Sequence, residues 1–240
     1  MRALAAEIER LGGTIFERTP TLSATLTAQK QISTLTGSVT AKRVIFATGG
    51  YTTALIPRLQ RAILPIATYM MLTEPAPTRL AQTTKTTAAI LADRRASDYY
   101  RHVDNGQRLL WGGRIINRAG SPDAVAKELR AAMLDVYPQF APLKTDIAWS
   151  GQIAYARHRM PQVGKLQPNV WHITAFGGHG LTTTAIAGKV LAEAILGETD
   201  RIQLFAPWGL ANAFGRAGLL AAQLTRWTLQ AQDKWRERRS

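Results

Sequence analysis

One stretch, VWHITAFGGHGLTTTAIAGKVLAEAILG from Val170 to Gly197, constrains the fold more than any other part of the chain. Alternating residues from Val170 to Phe176 predict a strand, and apolar residues at helical spacing from Leu181 to Ile195 predict a helix. The glycine-rich segment Gly177–Gly180 joins the two, and Gly197 stands where a left-handed helix cap is expected. Because such a junction presents backbone N–H groups and the positive end of a helix dipole, it favours an electron-rich ligand. The same pattern is also typical of a tight turn that binds nothing.

The predicted helix has a continuous apolar face. Its members are Leu181, Ala185, Ile186, Val190, Leu191, Ala194 and Ile195.

Composition limits the class of protein. The chain has 240 residues, of which 46% are hydrophobic, which is enough for a sizeable core in one or two domains. Its apolar runs are shorter than the roughly 18 to 20 residues of a membrane span, and its N-terminus lacks a signal-peptide pattern. It contains 0 cysteines, which excludes disulfides, thiolate metal sites and a cysteine-linked flavin. We therefore expect a soluble, cytoplasmic protein without a bound metal.

The charge balance is strongly basic, with 30 Lys+Arg against 16 Asp+Glu and a net charge of +14. Such a balance can indicate nucleic acid or an anionic membrane surface. The basic residues are mostly scattered arginines, however, and the one dense cluster is terminal, at Lys234, Arg236, Arg238 and Arg239. We interpret the charge as a solvated basic surface and predict no nucleic-acid partner.

The first part of the chain has the order of an α/β nucleotide-binding domain. We predict a helix at Met1–Leu11, a strand at Thr14–Arg18 and a threonine-rich hairpin-like segment at Thr19–Thr40, with a turn near Gly37. A strand buried on both faces is expected at Val44–Ala47, and a glycine turn follows it. In such domains ligands bind beyond the carboxyl ends of the strands. No GxGxxG motif is present, so we expect the chain to correspond to the later part of a longer ancestral protein.

The middle of the chain changes character. Strands are predicted at Leu64–Leu72, Tyr99–Val103 and Leu109–Gly113, and a helix begins at Pro122. This pattern indicates an α+β unit with an antiparallel sheet. A last helix is predicted at Gly218–Arg236, with an apolar stripe that we expect to pack on the body of the protein. The stripe consists of Leu220, Leu224, Trp227, Ala231 and Trp235.

Taken together, the motifs resemble those of a known family. In order they are VIFATGGYT, LPIATYMMLTEP, LLWGGR, WSG, RMPQVGKL and ITAFGGHGLTTTAIAGKVLAEAI, followed by FGRAGLLAAQLTRWTLQAQDKW. Nearly the whole chain resembles the FAD-dependent oxidoreductases of the D-amino-acid oxidase/glycine oxidase type. Within that family the motifs are most similar to the gamma-glutamylputrescine-oxidase-type amine oxidoreductases.

The resemblance implies an α/β (α+β) flavoprotein with a partial glutathione-reductase-like FAD-binding domain and an antiparallel substrate sheet. The FAD-binding domain would comprise residues 1–60 and 149–240, and the substrate-binding domain residues 61–148. The resemblance also assigns two groups of residues to the FAD cofactor. They are Thr48, Gly49 and Gly50 after the first buried strand, and Gly177, Gly178, His179, Gly180, Leu181 and Thr182 at the later junction.

The substrate side departs from the family pattern. Where amino-acid oxidases of this type often carry an arginine that binds the substrate carboxylate, this chain has Ile153, and where they often have an aspartate it has His158. An amine substrate is therefore favoured over an α-amino acid. The residues predicted to contact substrate are Tyr69, Arg157 and His158. The alternative is a truncated, non-catalytic remnant or subunit, with a separate chain supplying the missing half of the FAD site.

Overall fold

The computed structural model describes residues 2–92, 98–116 and 120–237. The chain divides into two compact units. Unit 1 comprises Met1–Phe46 and Lys165–His172, and unit 2 comprises Ala47–Gly164 and Ile173–Ser240. The domains predicted at 1–60 with 149–240 and at 61–148 stay a prediction, because units defined by chain packing need not coincide with cofactor- and substrate-binding domains.

Unit 1 begins with helix α1 (Arg2–Arg10), within the predicted helix. An antiparallel meander follows, made of β1 (Ser23–Leu26), β2 (Lys30–Ser33) and β3 (Ser38–Ala41). The predicted turn near Gly37 is confirmed, since Thr34 N–H bonds to the Gly37 carbonyl at 2.8 Å. The strand predicted at Thr14–Arg18 is wrong, because this segment has no regular structure and Arg18 takes a φ of 50°.

A second sheet has the order β10-β11-β4, with β4 (Val44–Phe46) pairing in parallel with β11 (Val170–Thr174). The third strand, β10, spans Gln162–Gln167. Val44 and Phe46 are buried, but Ile45 is 48% exposed. The prediction of a strand at this position is confirmed, and the prediction that it is buried on both faces is wrong, because Ile45, on the face opposite Val44 and Phe46, is half-exposed.

Unit 2 is built on a five-stranded antiparallel sheet of order β6-β7-β8-β5-β9. Its strands are β5 (Leu64–Thr73), β6 (Ile90–Leu91), β7 (Tyr99–Val103), β8 (Arg108–Ile116) and β9 (Thr145–Tyr155). The three strands predicted for this region correspond to β5, β7 and β8, so the antiparallel sheet is confirmed. Two short helices, α2 (Pro57–Arg61) and α3 (Pro77–Thr83), lie on either side of β5 in sequence.

Helix α4 (Pro122–Val136) covers one face of this sheet, as predicted. Ser121 caps it, since its hydroxyl accepts a hydrogen bond from the Ala124 N–H at 3.4 Å. The core between helix and sheet is formed by Ala67, Tyr69, Met71, Leu80, Tyr100, Leu109, Trp111, Val125, Leu129, Met133, Phe140 and Leu143. Burial raises the pKa of the Tyr100 phenol, and its 2.8 Å hydrogen bond with the Tyr137 hydroxyl acts in the same direction.

Helix α5 (Gly180–Leu196) follows β11, and Gly197 ends it with a φ of 78°, as predicted. The predicted apolar face is only half correct. Val190 and Leu191 are buried, whereas Leu181 is 87% and Ile186 60% exposed. The second half of the helix therefore packs against the rest of the protein, and the first half leaves apolar side chains at the surface.

Helix α6 (Gly215–Glu237) confirms the predicted C-terminal helix. The prediction that its stripe packs on the body is wrong, because Leu220, Leu224 and Trp227 are each more than half exposed. The start of the helix approaches β5, where Gly218 lies close to the Leu64 side chain. The Lys234 side chain, Arg238 and Arg239 of the predicted basic cluster lie outside the described residues. None of the helices within the described ranges is long and apolar enough to cross a membrane.

Candidate functional site

A short turn follows β4 and begins unit 2. Thr48 has right-handed dihedrals (φ −78°, ψ −12°), and Gly49 has a left-handed φ of 54°. A right-handed residue followed by a left-handed one turns successive N–H groups to the same side, which forms an anion-binding concavity called a nest. Thr52 fixes the turn, since its hydroxyl donates to the Gly49 carbonyl at 2.8 Å and lies 2.6 Å from the Thr48 hydroxyl.

The next glycine of this turn, Gly50, packs directly against β9. A Cβ atom added at Gly50 would lie 2.8 Å from the Cβ of Gln152 and 3.0 Å from its backbone carbonyl atoms. The Tyr51 hydroxyl accepts a hydrogen bond from the Gln152 N–H at 3.2 Å. Glycine is therefore required at position 50 by close backbone approach rather than by its dihedral angles.

A second turn of the same kind follows β11. Ala175 has a φ of 61°, Phe176 is right-handed (φ −75°, ψ −6°), and Gly177 has a φ of 58°. Phe176 and Gly177 therefore form a second nest. A Cβ atom at Gly177 would lie 2.8 Å from the ring of Tyr155, and Tyr155 forms an isolated β-bridge with Phe176.

The two turns border one cavity of about 270 Å³ within unit 2. Its volume is close to the lower limit of typical ligand pockets, about 300 to 1,000 Å³. The residues that line it are Ala47, Gly49, Gly50, Gln152, Ile153, Ala154, Ile173, Thr174, Ala175, Phe176, Gly177 and Thr184. Most of these side chains are apolar, so the polar groups offered to a ligand are mainly backbone N–H and carbonyl groups of the turns.

Thr174, the last residue of β11, is the exception. Its side chain is 1% exposed, and its hydroxyl is buried without a hydrogen-bond partner among the described residues. The other threonine of the cavity, Thr184, donates to the Gly180 carbonyl at 2.6 Å. The Thr174 hydroxyl is inaccessible to solvent, so it lies behind the cavity surface, and a polar ligand in the cavity meets the backbone groups of the two turns.

Some of the predicted cofactor-binding residues lie beside the cavity rather than on its wall. Thr48 is exposed next to Gly49. Gly178 and His179 are exposed, Leu181 and Thr182 begin α5 with exposed side chains, and Gly180 is half-buried. The His179 side chain does not cap the helix, but its backbone carbonyl accepts a hydrogen bond from the Thr183 hydroxyl at 2.7 Å. The structure thus brings Gly49, Gly50 and Gly177 together and leaves the start of α5 open to solvent.

The three predicted substrate residues are not part of the cavity lining. Tyr69 is 4% exposed in the core of unit 2, with its hydroxyl close to Gly120. The Arg157 guanidinium lies over the Phe214 ring at 5.2 Å. The Nδ1 atom of His158 accepts the Met160 N–H at 3.2 Å, so its Nε2 carries the proton and faces the Gly209 carbonyl at 3.4 Å.

Sequence reasoning did not assign Thr174, Gln152 or Thr184 to a site. Ile153, which it singled out only as a departure from a pattern, does line the cavity. The signal for Thr174 was present in HITAF, where a threonine ends a buried strand directly before a glycine turn.

The sequence model of the DAO family, FAD dependent oxidoreductase, matches residues 1–194. The chain therefore belongs to the FAD-dependent oxidoreductases of the D-amino-acid oxidase type.

Two curated relatives are similar over most of the chain. Gamma-glutamylputrescine oxidoreductase of Escherichia coli is 33% identical over 198 residues, which is 81% of this chain and 46% of the relative. The probable oxidoreductase OrdL of Haemophilus influenzae is 31% identical over 220 residues, covering 88% of this chain and 49% of the relative. The chain thus spans about half the length of the curated relatives it matches.

Solved structures agree on the fold. Glycine oxidase from Geobacillus kaustophilus superposes with a TM-score of 0.72 at 19% identity, over 89% of this chain and 57% of that one. L-proline dehydrogenase from P. horikoshii superposes with a TM-score of 0.67 at 16% identity, over 86% of this chain and 57% of that one. Identities this low establish the shared fold alone.

Proposed function

We propose that this chain carries the flavin-contacting cavity and the substrate sheet of an FAD-dependent oxidoreductase that oxidises the C–N bond of an amine or amino-acid derivative to an imine. The observation that carries the proposal is the cavity bordered by both glycine turns. It has apolar walls for a flat ring and backbone nests for an electron-rich edge.

The residues present fit a flavin. The walls of the cavity are mostly apolar, and the Thr48–Gly49 and Phe176–Gly177 nests present backbone N–H groups at its border. A flavin, when bound, supplies the chemistry by accepting a hydride from the carbon next to the substrate nitrogen, while that nitrogen loses a proton.

The chain's own residues would hold and polarise the ring. The N–H groups of the nests at Thr48–Gly49 and Phe176–Gly177 would donate to its electron-rich edge. Gly178–Thr182 would add the positive end of the α5 dipole. Since reduction places negative charge on this part of the ring, both contributions would favour the reduced form.

The proposed substrate is an amine whose reacting carbon carries no carboxylate. Ile153 lines the cavity, and an isoleucine cannot form the bidentate contact that an arginine makes with a carboxylate. Arg157 and His158 already contact Phe214 and the Gly209 carbonyl, so a role in substrate binding would require them to leave those partners. We leave Tyr69 out of the proposed site, because its ring packs in the core.

A second candidate is a non-catalytic part or subunit of such an enzyme. The 240 residues contain no GxGxxG motif, so the main contacts for the FAD pyrophosphate would come from residues outside this sequence.

The two candidates are separated by incubating the purified chain with FAD, desalting it, and recording the visible spectrum under anaerobic conditions. The enzyme proposal predicts retained flavin bands that gamma-glutamylputrescine bleaches and glycine does not. Retained bands that no amine bleaches would support the non-catalytic part. A colourless protein would overturn flavin binding by this chain alone, and recovery of colour with a separately expressed N-terminal half of a relative would support the subunit.

An Ile153→Arg variant tests the substrate class. If Ile153 faces the substrate, a guanidinium there will favour α-amino acids and slow bleaching by amines by about 10-fold or more, the effect of one misplaced charged group. Ile153→Leu is the matched control and keeps the amine preference. Equal bleaching rates for the two variants would show that position 153 does not contact the substrate.

A further inference from the structure

Helix α6 carries its apolar stripe on an exposed face. The stripe consists of Leu220, Leu224, Trp227, Ala231 and Trp235, and its four large side chains are 62%, 58%, 57% and 56% exposed. Since an α-helix has 3.6 residues per turn, these positions fall within one narrow arc of the helix surface. Single exposed apolar residues are ordinary, but a row of them on one face indicates an interaction surface.

The opposite side of α6 is the side that packs. Leu219, Ala222 and Leu229 are half-buried and lie across the helix from the stripe. The helix is therefore already docked through one apolar side and presents a second one to its surroundings. A helix with apolar residues on two sides is typical of one that lies between two surfaces.

The hydroxyl groups of α6 do not oppose transfer of the stripe into an apolar environment. The Thr225 hydroxyl donates to the Ala221 carbonyl at 2.9 Å, and the Thr228 hydroxyl donates to the Thr225 carbonyl at 2.7 Å. Because the helix backbone satisfies both hydroxyls, neither of them depends on water for a partner.

The charge around the stripe is basic. From Gly215 to Ser240 the sequence has two acidic residues, Asp233 and Glu237, and more basic ones, namely Arg216, Arg226, Lys234, Arg236, Arg238 and Arg239. Arg216 before the stripe and Arg236 near its end are both exposed. A second copy of the chain would bring a net charge of +14 towards +14, so charge disfavours self-association and favours an anionic surface.

The position of α6 in the chain also bears on what covers the stripe. The model of the oxidoreductase family matches residues 1–194, and α6 begins at Gly215. The stripe thus lies outside the matched part of the chain, which disfavours a cover that completes the family fold.

We propose that the α6 stripe binds the surface of a membrane that contains anionic lipids, with the helix lying in the plane of the interface. The leucine and tryptophan side chains would enter the boundary between headgroups and acyl chains, where tryptophan is favoured, and the arginines would meet the lipid phosphates. Since none of the described helices could cross a membrane, the binding is peripheral. This inference does not depend on the proposed flavin site.

The test is sedimentation of the full chain with lipid vesicles. One vesicle population is phosphatidylcholine alone, and the other contains about 30% phosphatidylserine. The variant Leu224→Gln/Trp227→Gln removes two large side chains from the stripe. Leu35→Gln/Leu91→Gln is the matched control, because Leu35 is 77% and Leu91 70% exposed and both lie outside α6.

The parent chain should bind the anionic vesicles about 10-fold or more tightly than the neutral ones, and added salt should weaken this preference. The stripe variant should lose about 10-fold or more in partition coefficient, whereas the control variant should stay within about 2-fold of the parent. Thermal midpoints of all three proteins should agree within about 2 °C, since every substituted side chain is exposed.

A charge variant checks the electrostatic part of the proposal. Arg216→Gln/Arg236→Gln should weaken binding to the anionic vesicles and leave the weak binding to phosphatidylcholine unchanged.

Three results would overturn the inference. The first is a folded parent chain that does not bind the anionic vesicles. The second is equal binding by the stripe variant and the parent, since that places the contact elsewhere on the basic surface. The third is a parent that is dimeric in solution while the stripe variant is monomeric, with vesicle binding absent from both, since a second copy then covers the stripe.

Discussion

The turns after β4 and after β11 share a backbone form but have different neighbours. Each places a right-handed residue before a left-handed glycine, Gly49 in the first turn and Gly177 in the second. The first turn continues into Gly50, which packs on the backbone of Gln152. The second packs on the ring of Tyr155 and continues into the exposed start of α5.

This difference indicates how each wall of the cavity responds to change. A backbone neighbour held in a sheet cannot move without breaking its ladder, whereas an aromatic side chain can rotate. We therefore expect the first turn to be the rigid wall and the second turn to be the adjustable one.

The largest effect is expected for Gly50→Ala. The added Cβ meets Gln152 at 2.8 Å, so the turn or β9 must shift. Overpacking of this kind costs about 1 to 3 kcal/mol, and we expect this variant also to lose flavin retention. Urea unfolding and the visible spectrum after desalting measure the two effects.

Gly188→Ala is the matched control for this variant. Gly188 lies within α5 with nothing within 4 Å of an added Cβ. Alanine there should stabilise the chain by about 0.5 to 1 kcal/mol. If Gly50→Ala were as stable as Gly188→Ala, the close approach of the first turn to β9 would be disproved.

A smaller effect is expected for Gly177→Ala. The left-handed φ of 58° disfavours alanine by about 1 to 2 kcal/mol, and the Tyr155 ring must move aside. In a Tyr155→Ala background, Gly177→Ala should no longer displace an aromatic ring. The cost of the left-handed φ should remain. A double-mutant cycle by urea unfolding measures the coupling, and zero coupling would contradict the contact with Tyr155.

The smallest change in stability is expected for Leu181→Ala at the open end of the second turn. Leu181 is 87% exposed, so the free energy of unfolding should change by less than about 0.5 kcal/mol. If Leu181 contacts the flavin, as the family resemblance implies, the dissociation constant for FAD should still rise. Unchanged affinity would remove Leu181 from the proposed site.

The elements that the sequence predicted well are those that their own local residue pattern is enough to identify. Strand β11, the glycine turn and helix α5 follow from alternation, glycine spacing and a 3.6-residue period, and Ser121 with Pro122 marks the start of α4. The antiparallel strands β5, β7 and β8 were recognisable for the same reason. Both glycine turns were identified because glycine is the residue that close backbone approach requires.

The elements that were mispredicted depend on neighbours distant in sequence. The residue types at Thr14–Arg18 suggest a strand, but no described strand pairs with it, and pairing is what stabilises a strand. The periodicity of α6 predicts an apolar face, but it does not indicate which part of the protein, if any, covers that face. Gln152 and Thr184 were missed because nothing in the sequence around them marks a site, and only the folded chain brings them to the cavity.

The most direct test of the two-turn cavity is amide hydrogen exchange of the full chain with and without FAD. We expect slower exchange at Gly49–Tyr51 and at Phe176–Gly178 together, with no change in α3, which contributes no residue to the cavity lining. Protection at one turn without the other, or at neither turn in a chain that retains flavin, would contradict the claim that both turns border a single flavin site.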